Sequence, residues 1–283
     1  MSPVAQVIPM LQSPDGSIPP SGLSLTWRAM SHRGLVRMRN EDKLYMDENS
    51  SSGKPRFIFA IADGLGGHRG GAVASDTAMK AVKDEFAKWR GGGPESFVDR
   101  TLRRANEDVF AVAQVTPAYF TMRTTLTVVV LEQDNMAVGH IGDCRLYRYR
   151  KGLLKQMTHD HSSVKELVRL RLISPEEAEG HPNRHQLTRA LGADPFTRPD
   201  TFREKILPGD SFLLGSDGLW SEVTTQDIEN TLSTDNLTEG FEELIGKVLD
   251  AGAHDNVSGT VFRIIGTGKT VSPGTFSKAF NRN

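Results

Sequence analysis

Apolar residues in this chain gather into short unbroken runs separated by polar, glycine-rich links. The runs LSLTWRAM (23–30), RFIFAIA (56–62), TTLTVVVL (124–131), MAVGHI (136–141), RLYRYR (145–150), SFLLGS (211–216) and GTVFRII (259–265) are rich in β-branched and aromatic residues. They predict buried strands. Helices are predicted over 72–90, 95–113, 163–171, 174–179 and 239–251. Ser174-Pro-Glu-Glu177 is a start signal, with a capping serine, proline in the first turn and glutamate three residues on. Trp89-Arg-Gly-Gly-Gly-Pro94 is a stop. Strands come in runs and the two long helices come together, so the layered α+β class fits better than a repeated βαβ pattern. Gly259, inside the last run, predicts a bulge.

The proline-rich residues 1–22 read as a disordered N-terminal extension, and 266–283, mixing Gly, Ser, Thr and Pro with basic residues, as a flexible C-terminal tail. Residues 23–265 between them show no repeat and no linker.

The 283 residues are 37% hydrophobic and 24% charged, enough for a packed core, and the formal net charge is −1. No basic excess points to nucleic acid as a partner. The single cysteine, Cys144, excludes an internal disulfide framework and fits a reducing compartment. No apolar run approaches the ~18 residues of a membrane span, and no leader pattern opens the chain. A cytoplasmic protein is expected.

The placement of aspartates is more informative. Asp63 closes FIFAIA and precedes Gly64-Leu-Gly-Gly-His68; Asp217 closes FLLGS and precedes Gly218. Asp143 lies in the Ile-Gly-Asp-Cys link between two strands, Asp255 just before the last strand, and Asp42 just before another short one. A carboxylate at the mouth of a buried strand is costly unless paired or holding a cation. Oxygen-only ligands select hard ions, Mg²⁺ or Mn²⁺. The glycines after Asp63 and Asp217 would let the backbone turn sharply and come close to an ion. Each Asp-Gly junction reads equally as an ordinary turn, so spacing alone leaves turn and ligand open.

Taken in order, the motifs become specific. They begin with Ser31-His-Arg-Gly34-Leu-Val-Arg37-Met-Arg-Asn40-Glu41-Asp42, Ala62-Asp63-Gly64-Leu-Gly66-Gly67-His68 and Thr124-Thr125-Leu126. They continue with His140-Ile-Gly142-Asp143-Cys-Arg145, Thr158-His-Asp160-His161, Leu214-Gly-Ser216-Asp217-Gly218-Leu219 and Asp255-Asn256-Val257. This series resembles the bacterial metal-dependent protein phosphatases of type 2C, over about residues 24 to 265.

The resemblance implies a four-layer sandwich of two antiparallel sheets flanked by helix pairs, with a metal centre at one end. Asp63 would bridge two ions, Mn²⁺ or Mg²⁺, with the Gly64 carbonyl on one of them. Asp217 and Asp255 would complete the first ion, and Asp42, with Glu41 as an alternative, would hold the second through water. Asp143 with Asp217 would bind a third. Arg37 would grip the substrate phosphate, and His68 or a water would protonate the leaving oxygen. A hydroxide bridging the ions would attack phosphoserine or phosphothreonine directly, with no phosphoenzyme. Phosphorylated proteins, including a Ser/Thr kinase, are the implied partners of a monomeric enzyme. Residues 159–195 correspond to a flap that varies within the family.

Other readings are weaker. Cys144 and Arg150 satisfy C-x₅-R, but the intervening RLYRY lacks a phosphate-cradling glycine, and Asp143 would raise the thiol pKa; Cys144 is expected half-buried in a strand. Gly64-Leu-Gly-Gly lacks the spacing of nucleotide loops. His159 and His161, two apart, would face opposite sides of a strand, making poor joint ligands, and His161 reads as a loop histidine with an ordinary hydrogen bond. A catalytically weak relative that binds phosphoproteins or a kinase would usually have lost a metal aspartate, and none is missing here.

Overall fold

The structure is a computed structural model that describes residues 22–49, 55–65, 70–183 and 186–267. Among them, two five-stranded antiparallel sheets stack face to face. One sheet has the order β1 (Leu23–His32), β12 (Val257–Thr267), β11 (Ser211–Gly215), β8 (Arg145–Arg150), β9 (Leu153–Gln156). The other runs β10 (Asp200–Lys205), β7 (Asn135–Ile141), β6 (Leu126–Glu132), β3 (Arg56–Ala62), β2 (Lys43–Asn49). Helices α1 (Gly70–Lys88) and α2 (Pro94–Val115) cover the second sheet. Helices α6 (Thr225–Ser233) and α7 (Leu237–Asp250) cover the first. This is the expected four-layer α+β sandwich.

Burial on both faces explains the unbroken apolar runs. In β3, Phe59 and Ile61 point between the sheets, while Ile58, Ala60 and Ala62 lie under the helices. The same alternation recurs in β6, where Val129 and Leu131 face the other sheet and Val128 and Val130 face α1 and α2. Between the sheets, Phe262 stacks on Phe59 at 4.3 Å and on Phe212 at 4.7 Å between ring centroids.

The polar ends of the fold are less regular. Between β9 and β10, α3 (Ser163–Arg169) and α4 (Pro175–Glu179) occupy the expected flap region, and Ser174 and Glu177 form the predicted capping box. Strands β9 and β10, the one-turn α5 (Asp217–Trp220) and α6 were not expected. Strand β10 is a sheet edge carrying one apolar residue, Phe202, and α6 has only Ile228 and Leu232 as buried apolar side chains. The capping box of Thr224 and Asp227 is the signal that marks α6 in the sequence.

Two expectations need correction. No bulge occurs at Gly259, which pairs in register with Met30 and Gly215; the register shifts instead between Ser24 and Leu25. Glycine is needed there for space, because a Cβ would lie 2.6 Å from Leu219 Cδ1. Cys144 is not a half-buried strand residue but fully buried in the link between β7 and β8. The N-terminal extension and the tail beyond Thr267 lie outside the described residues, and β12 reaches past the expected boundary at 265.

Because Phe262 is completely buried between two stacked rings, Phe262→Ala is expected to destabilise the fold by about 3–5 kcal/mol in urea unfolding.

Candidate metal centre

One end of the sandwich collects the aspartates. Asp63 leaves the end of β3 and is fixed by its own backbone. Its N–H donates to Thr125 Oγ1 at 2.9 Å, and its carbonyl accepts from Thr125 N–H at 2.9 Å and Thr124 Oγ1 at 2.8 Å. Next to it, β4 (Gly64–Leu65) pairs with β5 (Arg123–Thr124). Gly64 does not turn through positive φ, contrary to expectation; its lack of a side chain serves close approach. A Cβ there would sit 2.2 Å from the Gly71 carbonyl at the start of α1. Gly218 is likewise free of positive φ, and its Cβ would meet the Asn256 carbonyl at 2.2 Å.

Asp217 opens α5 rather than closing β11. Three residues on, Trp220 Nε1–H donates to the Asp143 carbonyl at 3.1 Å, so α5 also positions the β7–β8 link. Asp42 lies deeper, 4% exposed, accepting from Ser216 Oγ at 2.9 Å through Oδ2. Asp255 Oδ2 accepts from Arg37 Nη2 at 2.6 Å.

These carboxyls act on one another's charge. Burial first, then the charges of Asp42, Asp217 and Asp143, pushes the Asp63 carboxyl well above the usual range. Asp143 is raised the same way, by burial and then Asp217 and Asp160. Asp42 is pushed up to about 8, mainly by burial; the Ser258 and Ser216 hydroxyls oppose this, and Asp217 and Asp255 add to it. Asp42, Asp63, Asp143, Asp217 and Asp255 with Arg37 are therefore brought together; His68 lies outside the described residues. Glu41 is adjacent, its backbone N–H donating to Asn256 Oδ1 at 2.8 Å and its carbonyl accepting from Ser75 Oγ at 2.5 Å.

The donor set fits a hard divalent cation. All its side chains are carboxylates, and the buried Asp42 Oδ1 has no hydrogen-bond partner. Among the described residues no three His, Cys, Asp or Glu side chains stand close enough together to hold a metal ion as they are, so the aspartates form a loose cluster. Like charges this close are costly unless neutralised by protons or cations.

A second layer of support was not foreseen in the sequence. Gly142, at φ +110°, packs on Thr125, whose Cγ2 would lie 2.4 Å from a Cβ at that position. His161 grips the other side of Gly142: its N–H donates to the Gly142 carbonyl at 2.8 Å, and its Nδ1 accepts from Gly142 N–H at 3.1 Å. The ring proton therefore sits on Nε2, which donates to Asp200 Oδ2 at 3.0 Å, and Arg189 holds Asp200 Oδ1 at 2.7 Å. Burial lowers the His161 pKa, in keeping with this neutral form. The flap region thus reaches Asp143 through Arg189, Asp200, His161 and Gly142. Arg145 adds a bidentate pair with Asp160 and lies 3.3 Å over the Trp220 ring centroid. The spacing of Asp160-His161 shows none of this, because both partners lie far off in the chain.

The thiol reading fails on geometry. Cys144 Sγ is buried 3.2 Å from Thr125 Oγ1, and burial followed by Asp63 and Asp143 pushes its pKa far up. Arg150 is engaged by Asp210, at 2.6 Å from Nη2 to Oδ2.

Residues 28–257 match the sequence profile of the family described as Protein phosphatase 2C. The serine/threonine protein phosphatase PstP of Mycobacterium tuberculosis is 35% identical over 243 residues, covering 86% of this chain and 46% of its own. The serine/threonine phosphatase stp of Listeria monocytogenes is 34% identical over 231 residues, covering 80% of this chain and 90% of its own. The crystal structure of the PstP catalytic domain with two manganese ions superposes with a TM-score of 0.76 at 34% identity, covering 86% of this chain and 99% of that one. The chain spans about half the length of its mycobacterial relative. No helix among the described residues is long and apolar enough to cross a membrane.

The raised Asp42 pKa gives a signed expectation. A carboxyl whose folded pKa is about 8, against an ordinary 3.8, favours the folded state only while protonated. Metal-free protein should therefore lose thermal stability as pH rises from about 4 to about 8. Asp42→Asn should flatten that slope in melts run with chelator, and an unchanged slope would contradict the assignment.

Proposed function

Since the chain belongs to the protein phosphatase 2C family, we propose that it is a metal-dependent protein phosphatase acting on phosphoserine and phosphothreonine. The observation that carries this reading is the cluster of aspartates beside Arg37 at one end of the sandwich, with Asp42 and Asp143 buried and Asp63, Asp217 and Asp255 half-buried. Asp63 with the Gly64 carbonyl, Asp217 and Asp255 would hold Mn²⁺ or Mg²⁺, Asp42 would act through its Ser216-held carboxylate, and Asp143 with Asp217 would take a further ion. Bound there, such cations supply positive charge to the phosphate oxygens and make water acidic enough to attack phosphorus near neutral pH.

The protein's own part is binding and orientation. Arg37 presents a planar fork of donors suited to two phosphate oxygens, and without phosphate that fork lies on Asp255 at 2.6 Å. Exchanging one anionic partner for another keeps the guanidinium paired before and after binding. Thr124 and Thr125 hold Asp63 by three hydrogen bonds, so the carboxylate at the centre is aimed before substrate arrives. A buried thiol with a raised pKa offers no nucleophile, which supports direct hydrolysis without a phosphoenzyme. A cytoplasmic setting, phosphoproteins as substrates and an opposing Ser/Thr kinase complete the reading; the single buried cysteine suits a reducing compartment.

Hydrolysis of para-nitrophenyl phosphate and of phosphothreonine peptides should require added Mn²⁺ or Mg²⁺ and vanish with EDTA. Asp63→Ala or Asp217→Ala should lower kcat by at least about 100-fold, or ~2.7 kcal/mol, with the melting transition still cooperative. More than about a tenth of wild-type turnover, a loss under ~1.4 kcal/mol, would remove these residues from the centre. Arg37→Ala should mainly raise KM, since its fork binds phosphate in ground and transition states alike. An unchanged KM would return Arg37 to the ordinary surface.

A further inference from the structure

The loop that carries Arg37 displays more than one arginine. Its sequence, Arg33-Gly-Leu-Val-Arg37-Met-Arg39, has three basic residues and no acid, and every residue but Gly34 is exposed. Leu35, Val36 and Met38 are 51%, 61% and 86% exposed. Adjacent apolar side chains left in water mark a contact surface when the backbone beneath them is rigid. Here it is. Asn256 Nδ2 donates to the carbonyls of Arg33 at 2.7 Å and Arg39 at 2.8 Å, and Leu35 N–H donates to the Ala253 carbonyl at 2.9 Å. Gly34, at φ +79°, approaches so closely that a Cβ would sit 2.1 Å from the Asp255 carbonyl. The loop is thus fastened to the turn that bears Asp255, at the rim of the carboxylate cluster.

We propose that segment 33–39 docks the residues flanking the phosphorylated side chain, and that it selects acidic and apolar flanks; this rests on the phosphatase reading. Charge complementarity supports that occupant. Arg37 is engaged with Asp255, whereas the Arg33 and Arg39 side chains have no ion pair among the described residues. The aspartate cluster would repel an acidic peptide, and cations at its rim are what permit one to approach. Leu35, Val36 and Met38 lie between those cations, where an apolar neighbour of the phosphoresidue can bury against them. A basic flank would meet three arginines and be disfavoured. An anionic lipid surface presents related chemistry, but the loop's attachment beside Asp255 favours a chain entering the site.

The test compares para-nitrophenyl phosphate with phosphothreonine peptides of equal length carrying acidic-plus-leucine, neutral or basic flanks. Wild-type protein and the exposed double variants Arg33→Ser/Arg39→Ser and Leu35→Ser/Met38→Ser are measured with Mn²⁺. Wild type should favour the acidic-apolar peptide over the neutral one in kcat/KM by about 3- to 10-fold, the yield of one or two surface ion pairs. The arginine variant should lose that preference and its salt dependence, the apolar variant should lose the benefit of leucine, and para-nitrophenyl phosphate turnover should not move. Equal kcat/KM for all peptides in wild type, or a preference that survives both variants, would overturn the proposal. Cosedimentation with anionic vesicles that is lost in the arginine variant, with peptide preference retained, would assign the loop to a membrane instead. Inactivity towards every substrate, para-nitrophenyl phosphate included, would overturn the phosphatase reading itself and this proposal with it.

Discussion

Mutual repulsion among carboxylates gathered at one end of the sandwich, two of them buried, is the constraint around which this molecule is arranged. Asp42, Asp63 and Asp143 each have a carboxyl raised first by burial; Asp217 adds to all three, Asp42 and Asp143 to Asp63, Asp255 to Asp42, and Asp160 to Asp143. Free side chains would relax such a cluster by turning outward. Two of them are prevented because their backbone is held independently of the carboxylate: Asp63 by Thr124 and Thr125, Asp143 by Trp220 at its carbonyl and by His161 at the preceding Gly142. Cations or protons would relieve that repulsion.

The two sheets make that possible. Strands β3, β6, β11 and β12 are apolar on both faces, so the layers cannot slide without exposing one of three packed interfaces. Their ends are therefore fixed points, and the aspartates are placed at strand ends or in the short links beyond them. The same rigidity reaches the outer rim through Asn256, which sits one residue after Asp255 and ties the arginine loop at Arg33 and Arg39 and the neighbouring backbone at Glu41. The turn bearing Asp255, Arg37 and the exposed apolar rim are thereby fastened to one another. The flap region couples differently, by the chain of polar contacts from Arg189 to Gly142, a set of hydrogen bonds that can break one at a time.

Strands buried on both faces write themselves into the sequence as unbroken apolar runs, and six of the seven predicted runs are single strands, while 124–131 is divided at Thr125 between β5 and β6. The long helices α1 and α2 were expected over 72–90 and 95–113, with the Gly-Gly-Gly-Pro stop between them, and both formed. Elements with little apolar surface, such as β10 and α6, carried too few such residues to show. Among site residues, the aspartates stood out because a carboxylate beside an apolar run is chemically anomalous at short range. Their convergence, the role of Asn256 and the His161 clamp depend on pairs separated by as many as 223 residues, such as Asn256 with Arg33. The sequence by itself determined which segments must be buried and which charged groups would be costly at their ends, since both follow from local composition. Only the tertiary structure decided which of those groups meet, and on which supports, because long-range hydrogen bonds and charge repulsion act through space and leave no periodicity along the chain.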